Sequence, residues 1–247
     1  MRKFFLSVLM LAILTVGENY AQSALAKWEV NGMTGFGPSP FAPYASDPNI
    51  TTSGLIRGHG VTTNPTAAAN AWGGNSWINS GAAVTREQAV TNGDYFYVTI
   101  KANPGYLLSL SKVQIARYRR SGTGPELLGF QYSIDGVNFL SSGSLNLSST
   151  NSSGATTAGN TVSGTSILQN VPATTTVTFR YVAYRNTTGG GATGTFYVFN
   201  DAGDDFMIFG TVTPVAPSAT IATSALSAAN FCQGAAVTVP YTTTGTF

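Results

Sequence analysis

Asp94-Tyr95-Phe96-Tyr97-Val98-Thr99-Ile100-Lys101 alternates without a break: Phe96, Val98 and Ile100 share one face, Tyr95, Tyr97 and Thr99 the other. Period two is the β-strand period, and it sets an apolar face against a polar, aromatic one. Asn103-Pro104-Gly105 then closes the strand with turn chemistry. Next, Leu108 and Leu110 have one parity and Val113 and Ile115 the other, which predicts a bulge or break near Ser111-Lys112. Phe130, Tyr132 and Ile134 line one side of a further strand. Asp135-Gly136 is expected to turn it as a type I′ hairpin, with Phe139 resuming beyond. Val177, Phe179, Tyr181 and Ala183 alternate against Thr178, Arg180, Val182 and Tyr184 in a long strand. Residues 195–199 and 206–212 read as a last pair of strands, and 28–31 and 55–57 as early ones. No stretch past the N-terminus carries sustained helical periodicity. The pattern predicts an all-β chain, a two-sheet antiparallel β-sandwich of about eight or nine strands.

Composition narrows the function classes. Only 9 % of the 247 residues are charged and the net charge is +2, so the chain has no basic stripe with which to release counterions from nucleic acid. Low charge with 11 % aromatic residues also argues against disorder. One Cys and one His exclude a disulfide framework and a multi-histidine metal site within these residues.

The chain divides by composition. Residues 1–26 read as a secretory signal: Arg2 and Lys3 precede an apolar run shorter than the roughly 20 residues that span a bilayer. Cleavage is expected after Gln22 or after Ala26, leaving a secreted or cell-surface chain with no membrane span. Residues 27–213 form the sandwich. Within them, 141–166 holds 21 Ser, Thr, Gly or Asn among 26 residues, and is expected to be a long exposed loop or loose hairpin. Residues 214–217, Pro-Val-Ala-Pro, read as an interdomain linker. Residues 218–247 alternate again but are too few for a sandwich of their own, which predicts an interrupted second β domain.

Several runs resemble a known module. Arg119-Arg120-Ser121-Gly122-Thr123-Gly124-Pro125, Tyr132-Ser133-Ile134-Asp135-Gly136-Val137-Asn138-Phe139, and Phe179-Arg180-Tyr181-Val182-Ala183-Tyr184 resemble the jelly-roll-like modules of secreted bacterial multidomain surface proteins. Asn230-Phe231-Cys232-Gln233-Gly234 through Val239-Pro240-Tyr241 is similar to the immunoglobulin-like modules that follow them in type IX secretion cargo. The resemblance implies export and a non-catalytic extracellular role in adhesion or carbohydrate binding. It equally suits an accessory domain of a secreted hydrolase whose catalytic part lies beyond residue 247, or a spacer without a ligand.

Few residues carry chemistry. His59, in Arg57-Gly58-His59-Gly60, has no Gly-x-Ser-x-Gly elbow to serve, and its glycines suggest a turn. Asp201, Asp204 and Asp205 cluster; the readings are a structural calcium site or a solvated turn, with no other cofactor expected. Arg117, Arg119 and Arg120 surround Tyr118. Either Tyr118 and Arg120 face a ligand, or the arginines tie down the next loop, Arg117 and Arg119 pointing coreward in continuation of the Val113/Ile115 parity. Trp72 and Trp77 flank Gly73-Gly74-Asn75-Ser76 and either stack on a glycan or fill the core. Partners implied are a glycan or cell-surface ligand, and no nucleic acid.

Overall fold

A computed structural model describes residues 23–64, 68–78, 85–148, 150–187 and 193–216. The expected signal up to Gln22, Pro217 of the linker and the immunoglobulin-like stretch with Cys232 lie outside those residues. In chain order the strands begin with β1 (Ser23–Trp28), β2 (Ala45–Ser46), β3 (Ile50–Thr52), β4 (Ile56–Arg57) and β5 (Ala71–Gly74). A helix, α1 (Arg86–Asn92), separates these from β6 (Tyr95–Ala102), β7 (Tyr106–Ile115), β8 (Arg117–Arg120), β9 (Leu127–Ser133) and β10 (Leu140–Asn146). The remainder are β11 (Ala155–Thr156), β12 (Asn160–Thr161), β13 (Val171–Pro172), β14 (Val177–Tyr184), β15 (Phe196–Phe199) and β16 (Phe206–Pro214).

These strands make an all-β sandwich of three antiparallel sheets. One layer is β10-β9-β14-β6-β3, with β4 also on β6. The other is made of two sheets, β12-β7-β16-β1-β2 and β11-β8-β15-β5. Only Ala116 separates β7 from β8, so one length of chain serves both sheets of this layer. The inner faces meet over Phe96, whose ring lies 5.1–6.4 Å from those of Trp72, Trp77, Tyr181, Phe196 and Phe206. Five aromatic partners from both layers make Phe96 the centre of the core.

The strand alternation of 94–101 holds: Phe96, Val98 and Ile100 are buried and Tyr95, Tyr97 and Thr99 half-buried on the outer face. The expected bulge is also present. Phe209 faces Lys112 and Gly210 faces Leu110, so Ser111 is skipped and Leu110 and Val113 both reach the core.

Other expectations are corrected. Parity changes again at Ala116, which places Tyr118 in the core and turns Arg117 and Arg119 outward. Strands β15 and β16 are not a pair: β15 joins β8 and β5, whereas β16 lies between β7 and β1. Strand β1 starts at Ser23, before residue 27, and buries Leu25 and Ala26. Pro214 still belongs to β16, opposite Tyr106. Asp135-Gly136 is not a two-residue hairpin, since Tyr132 pairs with Leu140 and leaves a longer loop. Nor is 141–166 a detached loop. It runs from β10 in one layer to β11 and β12 in the other, and buries Leu147 and Val162. Its Asn160 side chain accepts from the buried Tyr181 hydroxyl at 3.0 Å. Two apolar side chains and a few ladder bonds fix a segment whose average composition looks structureless.

Helix α1 is short because its ends are both closed. Thr85 and Gln88 form a reciprocal capping box, and Gly93 adopts φ 78°, the left-handed geometry that ends a helix. It packs on the outer face of β14 and covers Val182, which strand parity alone would leave exposed.

Candidate functional site

The sequence-predicted aromatic pair is spent on the core. Trp72 and Trp77 are both 0 % exposed, edge-on to Phe96, and donate their indole N–H groups to Pro38 O (2.7 Å) and Gly74 O (2.8 Å). The Arg57 guanidinium lies 4.8 Å over the Trp72 ring and is committed to the carbonyls of Gly73, Phe36 and Gly37. No stacking face is left on either tryptophan. Tyr118 is likewise buried. Arg120 donates to the carbonyls of Leu147, Ser121 and Gly124, which ties loops rather than a ligand. His59 is exposed in a turn, as its glycines suggest.

The three aspartates do not converge on a common point. Asp201 pairs with Arg117 at 3.2 Å, and Asp204 pairs with Lys27 at 2.9 Å and accepts from the Tyr44 hydroxyl. Asp205 is buried and turned onto the backbone, accepting from Val30 N and Asp201 N, both at 2.7 Å. Burial, with the nearby Glu29, raises its pKa. Among the described residues no three acidic, His or Cys side chains are grouped as a metal would need. Each aspartate is held in a separate contact: Asp201 to Arg117, Asp204 to Lys27 and Tyr44, Asp205 to the backbone.

A concave surface lies on the outer face of the β10-β9-β14-β6-β3 sheet. Antiparallel register sets Arg180 of β14 opposite Tyr97 of β6 on one side and Gln131 of β9 on the other. All three point outward, so they form one row across the sheet. Helix α1 bounds this row with Arg86, Glu87 and Val90, and the 134–139 loop bounds it with Gly136, Val137 and Phe139. The hollow between has a volume of 470 Å³. A second hollow of 290 Å³ continues it over Tyr95, Tyr97 and Thr178, and shares Gly136, Phe139 and Arg180 with the first. Together they form an open groove of the size small ligands occupy.

Each wall is anchored. The Asp135 carboxylate accepts from Val137 N (2.9 Å), Asn138 N (2.8 Å), Asn138 Nδ2 (2.7 Å) and Ser133 Oγ (2.8 Å). The Asn138 side chain, then these other donors, hold its pKa well below the usual carboxylate range. On the other side, Arg86 reaches over the strand edge to Ser141 Oγ (2.8 Å), Ser144 Oγ (3.1 Å) and Tyr184 Oη (3.2 Å). Gly129 permits this crossing: a Cβ there would sit 2.7 Å from Arg86 Nε.

The floor is rigid and amphipathic. Arg180 donates from Nε (3.0 Å) and Nη2 (2.7 Å) to Gln131 Oε1, while the Gln131 amide donates to Ser141 Oγ at 3.3 Å. The Phe139 ring packs 3.6 Å from the guanidinium carbon and the Tyr95 ring 5.2 Å from it. Tyr95 and Tyr97 stand side by side with centroids 6.2 Å apart. Partial burial lowers the Arg180 pKa, and the neighbouring Tyr95 acts the other way. Glu87 is the one carboxylate among the residues that line the two hollows. What the groove presents is aromatic surface with amide and guanidinium groups, which can stack on a bound group and hydrogen-bond it.

Strand alternation alone sets Tyr95 and Tyr97 on one face of their strand and Arg180 among the residues opposite Phe179 and Tyr181 on its own, but it does not join them to each other or to Gln131. The missing information was register between strands far apart in sequence. The capping pattern Thr85-x-x-Gln88 was a readable signal for the helix that forms one wall. Comparison with protein-family models and with curated protein sequences returned no match. Among the described residues no helix is long and apolar enough to cross a membrane.

Proposed function

We propose that this chain is an exported, non-catalytic module that attaches its parent protein to glycan, with the outer sheet face as the binding surface. The supporting observation is the groove over Tyr95, Tyr97, Gln131, Phe139 and Arg180. Pyranose rings present apolar C–H faces and equatorial hydroxyls, and half-buried tyrosines beside fixed amide and guanidinium groups match both. The scaffold is preorganised, so binding costs little side-chain ordering. Export rests on Arg2, Lys3 and the apolar run that follows them. In an adhesin or behind a hydrolase, the domain's part would be the same: attachment.

A glycan array probed with the exported chain tests the reading. Retention on a restricted set of glycans, weakened about tenfold in Tyr97→Ala with an unchanged melting curve, is the expected result. Failure to bind any glycan, or binding indifferent to Tyr95→Ala and Tyr97→Ala, rejects it.

A further inference from the structure

We propose that the groove selects acidic saccharides, glycans bearing a uronate carboxylate or a sulfate ester, with Arg180 as the oxyanion contact; this rests on the glycan-binding reading above.

The argument begins from charge that has no counterpart. Three ion pairs occur among the described residues, Lys27–Asp204, Arg117–Asp201 and Arg185–Glu126, and neither Arg86 nor Arg180 belongs to one. Both line the same hollow. Glu87, the one carboxylate lining that hollow, forms no ion pair with either among the described residues; its own backbone N–H and the Thr85 side chain lower its pKa, the Arg86 charge adding a lesser part. Arg86 and Arg180 thus line one hollow with no ion-paired carboxylate, an arrangement whose desolvation cost an incoming anion would offset.

Other unpaired arginines differ in a telling way. Arg57 and Arg120 spend N–H groups on backbone carbonyls, and the Arg119 guanidinium carbon lies 5.6 Å from the Tyr197 ring and 5.2 Å from the Phe199 ring. Arg180 instead spends Nε and Nη2 on a neutral amide oxygen, Gln131 Oε1, and has no hydrogen-bond partner at Nη1 among the described residues. A carbonyl-type acceptor fixes the fork's orientation without cancelling its charge. Phe139 at 3.6 Å keeps water from one face of the guanidinium and strengthens what the remaining edge can do. An oxyanion hydrogen-bonded there would leave its pyranose ring beside Tyr97, the neighbour of Arg180 in register.

The test is affinity electrophoresis of the full chain in gels containing polygalacturonate, alginate or a sulfated galactan, each beside its carboxyl-reduced or desulfated form. At least one acidic polymer is expected to retard the protein, with apparent affinity falling tenfold or more when its charge is removed. The uronate and sulfate arms separate the two sources of the oxyanion. Arg180→Gln is expected to abolish the preference for the charged polymer, and Arg86→Gln to weaken it and flatten its dependence on salt. Equal retardation by charged and uncharged forms, or by wild type and both variants, overturns the inference while leaving glycan binding intact. If no polymer, charged or neutral, retards the chain, the glycan-binding reading falls with it.

Discussion

Asp94 opens β6 from a position that is 1 % exposed, and its Oδ1 has no hydrogen-bond partner. Asn92 Nδ2 reaches Oδ2 at a long 3.4 Å. The turn holding His59 presses against it, for a Cβ on Gly60 would meet Oδ1 at 2.4 Å. Burial raises the Asp94 pKa from 3.8 to about 6, against a smaller opposing effect of Asn92. The folded value is above the unfolded one, so its contribution is complete below the unfolded value and is lost as pH rises through about 6. The rise from 3.8 to about 6 bounds the effect at ~3 kcal/mol. Asp94→Asn removes the charge and preserves the shape. Urea unfolding is therefore expected to show the variant more stable than wild type by about 1–3 kcal/mol at pH 8, and nearly equal to it at pH 4. A variant destabilised at both pH values, or stabilised equally at both, would refute the reasoning.

Three further outcomes follow from packing and from the groove. Phe96→Ala removes the ring shared by both layers and should cost about 3–5 kcal/mol in urea unfolding; a loss under about 1 kcal/mol would mean that the layers do not meet there. Trp77→Ala and Tyr97→Ala should separate cleanly, the first lowering the melting temperature, the second leaving it alone and weakening glycan binding about tenfold. Under the export proposal the mature chain should begin at Ser23 on N-terminal sequencing, because cleavage after Ala26 would strip Leu25 and Ala26 from the core and undo most of the pairing between β1 and β16; a start at Lys27 contradicts the placement of β1.

The local half of the fold was legible because period two is written residue by residue. Phe96, Val98 and Ile100 obey it, and the parity change around Ser111 marks where β7 bulges. What could not be read was anything set by partners distant in sequence. Trp72 and Trp77 sit beside glycines in a stretch that resembles a binding loop, yet β15 pairs with β5 and draws both indoles into the core. Asp201, Asp204 and Asp205 are neighbours in sequence, but each is pulled toward a different partner: Arg117, Lys27 and the Val30 amide. The groove shows the same rule in reverse. Tyr97, Gln131 and Arg180 lie far apart along the chain, and only the β6-β14-β9 register sets them in a row.

The most direct test of the binding surface is hydrogen–deuterium exchange with and without a retained glycan. Protection confined to β6, the 134–139 loop and α1 is the expected result. Protection at 72–77 or 201–205 instead, with the groove unchanged, would contradict the account.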